Sequence, residues 1–216
     1  MNLQQLEYFK VIAETKNFTT ASNILPFLIS SFLNSHIQTK FNFNNESTDE
    51  ILKDLKYGKI DLGFFDDIKR FNDYPEIEVS LVKKEKYVLI VPKNHYLSNK
   101  EEVYLKELKE ENFIVYNTRD NEKKISYAEL IGYTPKISVE PTEASMLASL
   151  VSAGAGISVV VNTPMINTNK ISKIRIKDDI GYKKIYMGWN KETYISKIAE
   201  EFKEHVIKKY KSMVIF

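Results

Sequence analysis

Apolar and polar positions follow two periods along this chain, and the stretch from Glu140 to Val161 shows both. Met146, Leu147, Leu150 and Val151 recur at helical spacing after Pro141 and Thr142, which suit a first turn, and Gly154 is placed to end the helix. Ile157 to Val161 is a continuous run rich in β-branched residues, as a strand covered on both faces would be. The same logic applies earlier in the chain. Ser47-Thr48-Asp49-Glu50 has the S-x-x-E spacing of a capping box, Ile51, Leu52 and Leu55 form a buried stripe, Gly58 ends the helix, and Ile60 to Phe65 reads as a buried strand. With a short strand over Lys40 to Asn44 before it, the unit predicts parallel strands joined by a right-handed crossover. The class is α/β.

Nearer the N-terminus the period is helical. Leu3, Leu6, Phe9, Ile12 and Ala13 share one helical face, and Thr19 caps a second short helix that buries Ala21, Ile24 and Leu25. Two short helices with a tight turn open a helix-turn-helix, although an ordinary helical hairpin has the same spacing. A further amphipathic helix is predicted from Pro26 to Ser35. Strands are predicted over Ile77 to Val82, Tyr87 to Val91, Phe113 to Tyr116, Ile137 to Val139 and Lys184 to Trp189. Helices are predicted around Ser126 to Ile131 and over Tyr194 to Tyr210.

Composition narrows the chemistry. The 216 residues carry 31 Lys plus Arg against 29 Asp plus Glu, a net charge of +2, so no global field recruits nucleic acid or a membrane. Zero cysteines exclude disulfides, thiol catalysis and zinc–thiolate sites and suit a reducing compartment. No apolar run reaches the roughly 20 residues that span a bilayer. With no signal-peptide pattern at the N-terminus, the expected location is the cytoplasm.

Candidate sites each have a plainer reading. Gly154-x-Gly156 follows a helix and precedes a strand, the reverse of a dinucleotide loop. His36, His95 and His205 lack ligand spacing, so no metal and no cofactor are expected. Asp66-Asp67 is either a turn cap or a ligand contact, and Tyr116-Asn117-Thr118 either a polar turn or donors and acceptors for a small polar ligand. No acid, base or nucleophile constellation suggests an enzyme.

Particular motifs carry a family resemblance. MNLQQLEYFKVIAETKNFTTASNIL resembles the N-terminus of LysR-type transcriptional regulators, with Phe9, Phe18, Thr20, Ala21 and Leu25 at matching places. ESTDEILKDLKYGKIDLGFFDD is similar to the family's effector-binding domain, through Leu55, Gly58, Ile60, Asp61 and Leu62. Pro92-Lys93-Asn94-His95-Tyr96-Leu97 is similar to its V-P-x-x-H-P-L, with Tyr96 replacing proline, and Val151 to Ile157 is close to its V-x-x-G-x-G-I.

The resemblance implies a two-subdomain, type II periplasmic-binding-protein-like effector domain preceded by a partial helix-turn-helix. Residues 1–25 would be that remnant, 26–88 with 191–216 the first subdomain, and 89–190 the second. The family's recognition helix and the first strand of its sensor are expected to be missing, with a deletion near Leu25 and Pro26. By the same resemblance a small-molecule effector binds in an interdomain cleft at or near Asn45, Ser47, Asp66, Asn117, Thr118 and Thr142, and Ser47 also reads as a helix cap. Thr19 and Thr20 fall on the DNA-contacting side, but DNA binding needs a recognition helix supplied from elsewhere. Assembly into a homo-oligomer through the effector domain is implied, with no membrane partner. The rival readings are a cytoplasmic binding module acting without DNA, an enzyme on the same architecture, and a remnant without function.

Overall fold

The computed structural model describes residues 8–13, 20–66, 71–117, 127–164 and 166–211. They divide into two units, one holding the described residues up to Lys84 and from Lys184 onward, the other Glu85 to Lys183. Two long strands, β4 (Ile77–Pro92) and β10 (Tyr182–Asn190), contribute to both.

The first unit is a sheet in the order β2-β1-β3-β10-β4, where β1 is Tyr8–Ala13, β2 Lys40–Asn45 and β3 Leu62–Phe65. β1 pairs in parallel with β2 on one side and β3 on the other. This corrects two expectations: Tyr8 to Ala13 is a strand rather than helix, and the sheet does not lack a strand there. Tyr8, Phe9, Val11 and Ile12 are β-favouring residues, and the slot between β2 and β3 demands a partner for two rows of backbone groups. Residues 3–7 of the expected helix, and Thr19, lie outside the described residues. The two helices expected on either side of Pro26 are one, because α1 runs unbroken from Thr20 to Leu33 with Pro26 inside it. Proline cannot donate to the carbonyl of Ser22, so this helix depends on its packing.

Period-2 alternation sends side chains to two helical layers. Leu62 and Phe64 of β3 and Ile185, Met187 and Trp189 of β10 join Leu28 and Phe32 of α1 with Phe202 and Val206 of α5 (Lys197–Lys211). Phe65 instead joins Ile51, Leu52 and Leu55 of α2 (Thr48–Lys56) on the opposite face.

The α1–α5 seam holds polar groups as well. Ser31 Oγ lies 2.8 Å from His205 Nε2, accepts from Lys209 Nζ at 2.9 Å and donates to the Leu28 carbonyl. His36 stacks on Phe32 and reaches Glu201 at 3.0 Å. Burial, then Lys209 and His36, hold His205 below its ordinary pKa. The unfolded chain therefore takes up the proton first, so this contribution is intact above the unfolded value of about 6.5 and is lost as pH falls through it. The thermal midpoint is expected to drop between about pH 7.5 and about pH 5.5, and His205→Gln is expected to flatten that drop. An identical drop in the variant would assign the effect elsewhere.

In the second unit, β4 is flanked antiparallel by β8 (Ser158–Val161) and β9 (Ile171–Ile176), and β5 (Glu102–Val103) pairs with β9. β6 (Asn112–Ile114) pairs in parallel with β7 (Lys136–Val139) and bridges Ile157 through Phe113. Residues 127–131 form α3, and Ala144–Ser152 form α4. Gly154, at φ 86°, ends α4 as expected, while the Ala155 and Gly154 amides donate to the carbonyls of Leu150 and Val151 in a Schellman pattern. α4 begins two residues later than Thr142. The two strands expected over residues 77–91 are one continuous β4, and β5 and β9 were not foreseen.

Candidate functional site

The order β2-β1-β3, with α1 on one face of the sheet and α2 on the other, makes β1 a point where the crossovers diverge. Such a switch leaves a crevice beyond the carboxyl ends of the strands, where open α/β sheets take ligands. Ala13 is in register with Asn45 on one side and Phe64 on the other, so Asn45 and Asp66 sit at that same end of the sheet. Ser47 opens α2 two residues beyond Asn45. Three of the expected site residues thus share one edge of the first unit, with Asp66 half-buried.

α2 is held firmly at this edge. Ser47 Oγ accepts from the Glu50 amide at 3.4 Å, and Glu50 Oε2 accepts from the Ser47 amide at 2.8 Å and from Ser47 Oγ at 2.6 Å. The capping box expected from sequence is present, and a carboxylate of the chain itself occupies the helix N-terminus. At the other end, buried Asn190 donates through Nδ2 to the carbonyls of Leu55 (3.2 Å) and Lys56 (3.1 Å), while its Oδ1 accepts from the Glu192 amide. Asn190 escaped sequence reasoning because the carbonyls it holds on α2 lie more than a hundred residues away.

An open groove of about 370 Å³ runs along the outer side of α2, lined by Glu46, Glu50, Lys53, Asp54, Tyr57 and Lys59. Lys59 pairs with Asp54 at 2.9 Å, and that hydrogen bond raises its pKa. This groove was not foreseen. The i, i+3 and i+4 spacing of 50, 53 and 54 on α2 was the available signal.

In the second unit the Asn117 amide donates to the Pro141 carbonyl at 2.8 Å, which brings Asn117 beside exposed Thr142, two residues ahead of α4. Gly156 serves this arrangement: a Cβ there would lie 2.5 Å from the Asn112 carbonyl oxygen, so the Ala155–Ile157 backbone could not come alongside β6. Thr118 and Asp67 lie outside the described residues. Thr20 opens α1, a helix of the sensor layer rather than of a helical hairpin. Among the described residues no group of three or more His, Asp or Glu could hold a metal ion.

Comparison with known proteins gives the same architecture. The model of the LysR substrate binding domain matches residues 18–211, so β1 lies outside the matched stretch. An uncharacterized HTH-type transcriptional regulator of Bacillus subtilis (strain 168), YybE, is 30% identical over 194 residues, which cover 88% of this chain and 64% of that protein. The effector binding domain of QuiR in complex with shikimate superposes with a TM-score of 0.78 at 22% identity, covering 96% of this chain and 99% of that one. The BenM effector binding domain with its effector benzoate gives 0.74 at 20% identity, covering 97% and 94%. The chain spans under two thirds of the length of the curated relatives it matches, 64%, 63% and 57% for three of them. With a two-unit α/β fold and a family match over most of its length, the chain belongs to the LysR substrate binding domain family.

Proposed function

We propose that this chain is the effector-sensing part of a LysR-type transcriptional regulator, taking a small molecule at the carboxyl ends of β1 and β3. The observation that carries the reading is the β2-β1-β3 order with α1 and α2 on opposite faces, which sets Asn45, Ser47 and Asp66 on one edge. In the second unit, Asn117 and Thr142 are separate candidates for ligand contact, and Thr118 lies outside the described residues. Two structural neighbours, QuiR in complex with shikimate and BenM with its effector benzoate, support a small organic ligand.

Control of transcription is the whole regulator's function, and DNA binding requires a recognition helix from elsewhere. Support comes from β1, whose backbone is committed on both sides to β2 and β3 and is not free to form the first helix of a DNA-binding hairpin. No helix among the described residues is long and apolar enough to cross a membrane. We assign the chain to the cytoplasm and expect it to self-associate through this domain.

Thermal-shift screening of small amines, polyols and organic acids tests the reading. A ligand at about 100 times its Kd adds about 2.7 kcal/mol of stability and raises the midpoint. Asp66→Asn is expected to weaken an amine found this way by about tenfold, each protein being compared with its own unliganded midpoint. Unchanged affinity removes Asp66 from the site. Gel-shift assays at low and high salt separate a DNA-bound regulator, with its steep salt dependence, from a sensor acting without DNA.

A further inference from the structure

We propose that Lys173 is a modification site, an amine held ready to take the acyl group of a small acyl phosphate. Lys173 lies on β9 in register with Ile90 of β4. Period-2 alternation sets it on the same face as Ile171, which packs with Ile90, with Val151 of α4 and with Ile166. Its side chain rises from this apolar layer half-buried, and Nζ donates to the Thr163 carbonyl at 2.6 Å and to Asn162 Oδ1 at 3.4 Å. Among the described residues no carboxylate pairs with it, and Arg175, the next cation on that face of β9, is held by Glu102 at 2.8 Å. Lys56, Lys59, Lys100, Lys136, Lys177 and Lys203, by contrast, each hold an Asp or Glu. An ammonium carries three N–H donors, a neutral amine two and a lone pair. The two neutral oxygens match the donors of the amine and leave its lone pair open, whereas the third donor and the charge of the ammonium meet no described protein partner. Burial accordingly holds the Lys173 ammonium below the ordinary lysine value. In the step itself Nζ attacks the carbonyl carbon of the acyl phosphate, the bond from that carbon to the phosphate oxygen breaks, phosphate leaves with the electron pair, and the amine gives its proton to water. The amide that forms is neutral and keeps one N–H, enough for the Thr163 carbonyl, so acylation removes a charge beside the loop that follows β8 and releases Asn162.

Acetyl phosphate is the probe, incubated with the full chain while peptide mass spectrometry follows the acetylation of each lysine. At about pH 7 Lys173 is expected to react about tenfold faster than Lys59 and Lys177, whose carboxylate partners Asp54 and Glu102 raise their pKa. That advantage is expected to shrink as pH rises toward about 10, where the paired lysines also begin to lose their protons, and a ratio that does not change with pH would overturn the proposal. Asn162→Asp sets a carboxylate where the neutral acceptor was and is expected to slow Lys173 by about tenfold, with Lys59 and Lys177 unchanged. Asn162→Ala removes the same side chain without adding charge and is expected to stay within about twofold of wild type, which separates the effect of charge from that of a disturbed loop. Equal rates in the two variants, or a wild-type Lys173 no faster than Lys59 and Lys177, would also overturn it, since the amine would then be an ordinary ammonium or closed to the reagent.

Discussion

Val11→Pro is expected to leave the chain without a cooperative urea transition when Trp189 fluorescence is followed. Val11 lies within β1, in register with Phe43 of β2 and Leu62 of β3, so its backbone belongs to a strand with neighbours on both sides. Proline removes the amide donor and places its ring where the neighbouring strand must lie. One buried acceptor left without its donor costs about 1–3 kcal/mol. The damage does not stop there, because displaced β1 also frees the facing edges of β2 and β3. Against a total stability of about 5–15 kcal/mol, that suffices to unfold the first unit. Trp189 reports on this unit directly: it is buried in the α1–α5 layer, with Lys203 4.8 Å above its ring. Lys40→Pro, at the first residue of edge strand β2, is the control and is expected to keep a sigmoidal transition, since that position tolerates a missing donor. A Val11→Pro midpoint equal to that of wild type would mean β1 contributes nothing to the sheet.

The misreading of β1 shows where local pattern stops being informative. Leu3, Leu6, Phe9, Ile12 and Ala13 fit a helical stripe, yet Tyr8, Phe9, Val11 and Ile12 also fit a strand buried on both faces. The choice between them is made by β2 and β3, whose backbone groups sit decades of residues further along the chain. The resemblance to a DNA-binding N-terminus pulled the reading toward helix, but the family match begins at residue 18, beyond the strand. Where structure is closed locally, sequence was sufficient. The Ser47–Glu50 box and the Gly154 terminus depend on neighbours within a few residues, and both are in place. The site divides the same way. Asn45, Ser47 and Asp66 were legible as strand and helix ends, whereas Asn190 at the foot of α2 required geometry.

Gly63→Val is expected to lower the urea midpoint of the first unit strongly and to loosen α2 in particular. Gly63 of β3 pairs with Gly188 of β10, and both face the α2 layer. A Cβ at Gly63 would sit 2.4 Å from Ile51 Cγ2 and 3.2 Å from Leu55 Cδ1, and one at Gly188 would sit 2.8 Å from Phe65 Cε1. Ile51 and Leu55 are fully buried, so neither can swing away, and the helix itself must lift. Overpacking of this kind costs about 1–3 kcal/mol, and valine's two further methyl groups put it at the upper end. The loss reaches the site, because lifting α2 withdraws Ser47 and Glu50 from the ends of β1 and β3 and pulls the Leu55 and Lys56 carbonyls off Asn190. Amide exchange separates this local effect from general unfolding. Faster exchange in α2, with α4 and β8 unchanged, is the expected result. Uniform acceleration across both units would mean that the glycine pair supports the whole fold rather than the seating of one helix, and unchanged exchange would mean that α2 does not rest on it.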